Sequence, residues 1–100
     1  MAEKMKLKEI RARLKAGKSE LSRKYGFTEI GIFGSYAKGT QKNKSDLDIL
    51  VDFEGVPDIY KLIDLEDELK KLLKIKVDIV CKKAIRQELR ESIARDVIHI

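Results

Sequence analysis

The stretch Gly34–Phe53, GSYAKGTQKNKSDLDILVDF, decides how this chain is read. It opens on a tight turn at Gly34 and Ser35, passes Gly39 and a polar loop over Thr40–Ser45, and ends in a strand starting at Asp46 or Leu47. Side chains alternate across a strand, so Asp46 and Asp48 share one face while Leu47, Ile49, Val51 and Phe53 line the other. Aspartate is poorly suited to strands. At a rise of roughly 3.4 Å per residue, two of them at i and i+2 stand about 7 Å apart along the chain. With about 5 Å between the charges and an effective dielectric of about 20, their repulsion costs roughly 3 kcal/mol. A bound divalent cation reverses that sign. The pattern predicts a magnesium site on this face, with a phosphate-holding turn beside it.

Working outward, residues 4–25 read as a helix with Met5, Leu7, Ile10, Leu14, Leu21 and Tyr25 along one stripe. Gly17 weakens a continuous rod there, with a second start at Ser19 as the alternative, and Gly26 is the stop signal. Thr28–Phe33 reads as a strand whose Gly31 faces away from Ile30 and Ile32 and marks close approach of a ligand or another backbone. Downstream, Glu54–Pro57 form a turn and Asp58 caps a helix running to about Lys74. Its expected apolar face is Ile59, Leu62, Ile63, Leu65, Leu69, Leu72 and Leu73, with Tyr60 packed at its start. Lys76–Cys81 is a third strand, with Val77, Ile79 and Cys81 on its apolar side and Asp78 opposite. A last helix from Ala84 to about Arg95 buries Ile85, Leu89 and Ile93, and Val97–Ile100 forms a short extra strand or a docked end. The expected fold is α/β (α+β): a small mixed sheet of three to four strands, helices on one face, the carboxylate face open. Residues 1–100 are read as a single domain.

Composition narrows the function classes. The single cysteine, Cys81, excludes an internal disulfide framework and a cysteine-rich zinc site, and the single histidine, His99, excludes a histidine-based metal centre. No signal peptide or membrane span is read, so the expected location is cytoplasmic. The net charge of +5 is uneven: residues 1–24 hold nine Lys/Arg against three acidic groups, and the remainder is close to neutral. A solvated helix face is the plain reading of that excess, and an electrostatic footprint for RNA or an acidic partner the sharper one.

Asp78 shares the alternation of Asp46 and Asp48 on another strand, so three carboxylates can converge. An all-oxygen donor set suits Mg²⁺ or Mn²⁺ rather than zinc. At Gly34 the absence of a side chain lets a phosphate approach the backbone, and the N–H groups that follow, with the Ser35 hydroxyl, can cradle its oxygens. Lys38, Lys42 and Lys44 read singly as solvated side chains, with phosphate contact as the alternative.

Gly34-Ser35, Gly39, Ser45-Asp46-x-Asp48 and the later Asp78 together resemble the DNA polymerase β-type nucleotidyltransferase superfamily. Within it the chain is most similar to the minimal nucleotidyltransferase (MNT) domain, the antitoxin of the MNT/HEPN toxin–antitoxin type. The likeness covers nearly the whole chain. It implies that Asp46, Asp48 and Asp78 hold two Mg²⁺ ions and carry catalysis, Asp78 also helping to deprotonate the incoming hydroxyl. It implies that Gly34, Ser35, Lys38, Gly39 and Ser45 bind the nucleotide, ATP being the substrate. The implied reaction is transfer of AMP to a protein hydroxyl, a tyrosine of a HEPN-domain toxin. Lys38 stands where such domains often carry arginine, replacing a bidentate fork with a point charge. Two alternatives stay open: a small-molecule, aminoglycoside-like acceptor, or a non-catalytic module binding a partner or RNA.

Overall fold

A computed structural model of the chain describes residues 6–39 and 46–100. Its centre is a four-stranded sheet in the order β3-β2-β1-β4. Strands β1 (Phe27–Phe33) and β2 (Leu47–Phe53) run antiparallel, and β3 (Val77–Cys81) lies parallel to β2. The short β4 (Ile98–His99) pairs antiparallel with the other side of β1. The sheet is mixed because β2 and β3 are joined by a helix, α3 (Ile59–Leu73), and only a crossover of that length returns a strand in parallel.

Helix α1 (Leu7–Tyr25) is continuous through Gly17 and stops at Gly26, whose left-handed backbone lets its N–H reach the Ser22 carbonyl at 2.7 Å. Asp58 caps α3 as expected, accepting a hydrogen bond from the Tyr60 N–H at 2.9 Å. Ile10, Leu14 and Leu21 of α1 and Leu65, Leu69 and Leu73 of α3 bury against Ile30, Ile32, Leu47, Ile49 and Val51 of the sheet. The two long helices thus cover one face, as the strand alternation predicts. Arg13 ties them further by donating to the Leu72 carbonyl, one of the unpaired acceptors at the end of α3. Among the described residues no helix is long and apolar enough to cross a membrane.

Several sequence expectations change here. Tyr60, Ile59 and Ile63 are exposed, so the buried stripe of α3 starts only with Leu62 and Leu65. The last helix, α4 (Gln87–Asp96), begins later than expected because Lys82–Ala84 form a 3₁₀ turn and Ile85 and Arg86 are extended. Ile85 is buried ahead of the helix, whereas Leu89 stays exposed. The chain leaves β3 at one edge and returns as β4 at the other, so the segment between crosses a face of the sheet. Lys82 reaches Glu29, and Val97 lies against Gly31; both of those β1 residues face away from the α1/α3 layer. Leu50, on the face of Asp48, is buried too. That face is therefore covered in part by the 82–97 segment and open only toward the carboxylates.

Gly31 and Gly17 make opposite predictions. A Cβ on Gly31 would stand 2.8 Å from Val97 Cγ2 and 3.0 Å from the Ile98 carbonyl oxygen, so the close approach it permits is that of a backbone. Gly31→Ala is expected to loosen β4, read as lost hydrogen-exchange protection at the Ile100 N–H, which donates to the Ile30 carbonyl at 3.1 Å. A Cβ on Gly17 would make ordinary contacts, 3.6 Å to Leu21 and 3.9 Å to Leu72. Gly17→Ala is expected to raise stability by about 0.5–1 kcal/mol in denaturant titration.

Candidate active site

The site is assembled from three neighbouring chain segments. Asp48 is the second residue of β2 and Asp78 the second of β3, and the parallel register pairs them directly. Paired residues on strands some 4.8 Å apart project to the same face, so these two carboxylates lie side by side away from the helical core. On the other flank Phe33 pairs with Asp48, which brings the turn after β1 to the same spot. Asp46 precedes β2 and is exposed, and its charge is felt at Asp48 and at Tyr36.

Gly34 is decisive. Its φ of +74° and ψ of −148° fall where essentially only glycine is found, and a Cβ there would collide with Asp48 Oδ2. The turn is glycine both for its backbone angles and because the Asp48 carboxylate occupies the place of a side chain. Ser35 follows, half-buried, and opens the single-turn helix α2 (Ser35–Lys38), which is anchored by the buried Tyr36 and closed by the left-handed Gly39. Gly39 is exposed with open space around it, so its place in the site is that of a turn former. Lys38 reaches toward Asp96 at the end of α4, 3.7 Å away. Such an exposed, long pair holds little energy, so a phosphate can compete for that lysine. Ser45, with Lys42 and Lys44, lies outside the described residues.

Electrostatics bind the set together. Burial raises the Asp48 carboxyl above the ordinary carboxylate range, and the negative charges of Asp78 and Asp46 push it further. Among the described residues no three acidic, histidine or cysteine side chains converge closely enough to ligate one ion together. The donor set is a side-by-side pair with a third carboxylate within coulombic reach. Its oxygen-only chemistry and its mutual repulsion fit a hard divalent cation. The Tyr36 hydroxyl is buried with no hydrogen-bond partner, and burial, with the Asp46 charge, raises its pKa.

Sequence reading expected Asp46, Asp48 and Asp78 to converge beside Gly34 and Ser35. The structure sets Asp48 beside Asp78 with Gly34 against Asp48, whereas Asp46 stands only within coulombic reach and does not close a three-carboxylate cluster. Sequence reading missed Tyr36, whose aromatic side chain fixes α2 in the core; its place two residues after Gly34, pointing back to the sheet, was the available signal. His99, exposed on β4, forms a 3.0 Å contact with Glu29. Cys81 packs half-buried against the core.

Residues 14–99 match the family model described as a nucleotidyltransferase domain. The protein adenylyltransferase MntA of Thermococcus cleftensis is 44% identical over 94 residues, covering 94% of this chain and 95% of that protein. A solved minimal nucleotidyltransferase superposes with a TM-score of 0.85 at 35% identity, over 99% of this chain and 100% of that one. A chain of a toxin–antitoxin complex solved with AMP-PNP matches with a TM-score of 0.70 at 26% identity, over 85% of this chain and 70% of that one. These likenesses give no support to RNA contact through α1.

Two outcomes follow from the carboxylates. A group whose folded pKa is raised binds its proton more readily folded than unfolded, so stability falls as pH rises from the ordinary value through the raised one. Asp48→Asn removes that penalty. It is expected to melt at a higher temperature than wild type at pH 7, the difference closing as the pH falls below about 3.9, where both states are protonated. Gly34→Ala, by contrast, is expected to lower the melting temperature, since about 1–3 kcal/mol of backbone strain adds to the displacement of Asp48.

Proposed function

Because the chain belongs to the nucleotidyltransferase domain family, we propose that it transfers AMP from ATP to a hydroxyl of a partner protein, a tyrosine of a HEPN-domain toxin, and so acts as an antitoxin in the cytoplasm. The observation that carries this reading is the side-by-side register of Asp48 with Asp78, with the Gly34 turn pressed against the Asp48 carboxylate. AMP-PNP, seen with the toxin–antitoxin neighbour, is an ATP analogue, which supports ATP as the donor.

In this reading Asp46, Asp48 and Asp78 are the residues that would hold two Mg²⁺ ions. When bound, the metal supplies charge neutralisation at the oxygens of an in-line phosphoryl displacement. The chain's own residues do the rest. Gly34 lets the triphosphate tail approach the backbone, and Ser35 offers its hydroxyl and N–H to the phosphate oxygens. Lys38 exchanges Asp96 for a phosphate, and Gly39 and Ser45 are assigned to the nucleotide by the family resemblance. Asp78, the more exposed member of the strand pair, takes the proton of the acceptor hydroxyl. The hydroxyl oxygen bonds to the α-phosphorus, the bond from that phosphorus to the bridging oxygen breaks, and pyrophosphate leaves. A donor set that repels itself empty is preorganised to bind a cation–nucleotide complex.

The test is a transfer assay with α-labelled ATP and Mg²⁺, in the presence of the HEPN-domain partner that this reading names. Wild type is expected to label that protein. Asp46→Asn and Asp48→Asn are each expected to lower the rate by about 100-fold or more, the several kcal/mol that such charge stabilisation supplies. Label appearing only on an added aminoglycoside would transfer the activity to a small-molecule acceptor. A wild type that silences its partner without label, matched by both variants, would sink the enzyme reading.

A further inference from the structure

Four of the five large apolar side chains left exposed among the described residues gather in one place. They are Val56 (98% exposed), Ile59 (65%), Tyr60 (75%) and Ile63 (51%). Val56 lies in the turn after β2, and the other three ride the first two turns of α3, where Ile59 and Ile63 are one turn apart on a common side. The residues that α3 buries, Leu65, Leu69 and Leu73, come further along the helix, so this patch sits on the turns that precede its buried stripe. A contiguous apolar patch rimmed by polar groups marks a protein–protein contact.

Charge says what kind of partner fits. In a chain of net charge +5, residues 54–68 carry six acidic groups and a single lysine, Lys61. Glu66 and Glu68 are matched internally, by Lys70 at 2.9 Å and Lys24 at 2.8 Å. Glu54, Asp58, Asp64 and Asp67 remain around the apolar residues, set against Lys61 and against Lys83, which donates to the Phe53 and Gly55 carbonyls, so acidic groups still prevail. Two copies of this patch face to face would set like charges against each other, which costs several kcal/mol. The complementary surface is an apolar pocket rimmed by lysine or arginine.

Position adds the second half. Helix α3 starts where β2 ends, so the patch lies at the opposite end of that seven-residue strand from Asp48, a span of roughly 20 Å. A partner anchored there leaves Asp48 and Asp78 uncovered and can reach them with an extended segment of about six residues.

We infer that the turn after β2 and the first two turns of α3 are the docking surface for the acceptor protein, which presents an apolar face with a basic rim. This rests on the reading of the acceptor as a protein. The experiment is calorimetric titration of the HEPN-domain partner of the proposed reaction into wild type, Ile59→Glu, Ile63→Glu and Asp48→Asn, paired with the transfer assay. Both glutamate variants replace exposed side chains, so their melting temperatures stay at the wild-type value. Each is expected to weaken binding at least tenfold and to raise KM for the protein acceptor while kcat holds, whereas Asp48→Asn binds as wild type does. Wild-type affinity in Ile59→Glu and Ile63→Glu overturns the inference. So does a wild-type homodimer that these variants dissociate, which assigns the patch to a second copy, and so does a wild type that fails to bind the HEPN protein. Wild-type binding without AMP transfer, lost in the glutamate variants, supports the docking surface and removes the transferase reading alone.

Discussion

The parallel pairing of β2 with β3 is the constraint on which the rest depends. It sets Asp48 beside Asp78, two like charges on adjacent strands. A fold tolerates that only if the strands are held by something stronger, and here the buried faces of the same strands do the holding. Leu47, Ile49 and Val51 on β2 and Val77 on β3 lie under α1 and α3, and together their burial outweighs one unfavourable carboxylate contact. Each strand is thus a lever whose apolar side is clamped so that its acidic side can stay strained.

The turn after β1 serves the same end. Gly34 faces the Asp48 carboxylate where any other residue would place a Cβ, and Tyr36, buried directly after it, keeps the turn from retreating. On the other flank, the segment from the 3₁₀ turn through α4 crosses the carboxylate face and shields Leu50, leaving the acidic corner open. Asp96, at the end of that segment, meets Lys38 of the turn. The open corner is therefore bordered by α2 and the end of α4.

Much of this was legible in the residues. Period-two alternation in LDILVDF and KVDIV placed the aspartates on one face and the apolar residues on the other, and a strand leaves little freedom in that assignment. Gly26, Asp58 and the leucines of α3 announced a helix stop, a cap and a core stripe through short-range chemistry. The α3 start was misread for an instructive reason. Ile59, Tyr60 and Ile63 have the composition of a buried face, and only the position of the sheet beneath α3 reveals that its first turns overhang. The path of α4 was equally hidden, because Ile85 and Ile93 would serve as a buried line on either face.

What the sequence determined by itself was the set of local choices: which stretches extend or coil, which side of each strand is apolar, and which residue types could hold a charged phosphate and its cation. Those follow from backbone stereochemistry and from neighbours within a few residues. What only the tertiary structure decided was adjacency: that β3 lies against β2 in the register pairing Asp48 with Asp78, that Gly31 makes room for β4 rather than for a ligand, and that α4 crosses the acidic face. Strand order and register are set by how distant apolar surfaces share one core, an energy distributed over the whole chain and written in no single segment of it.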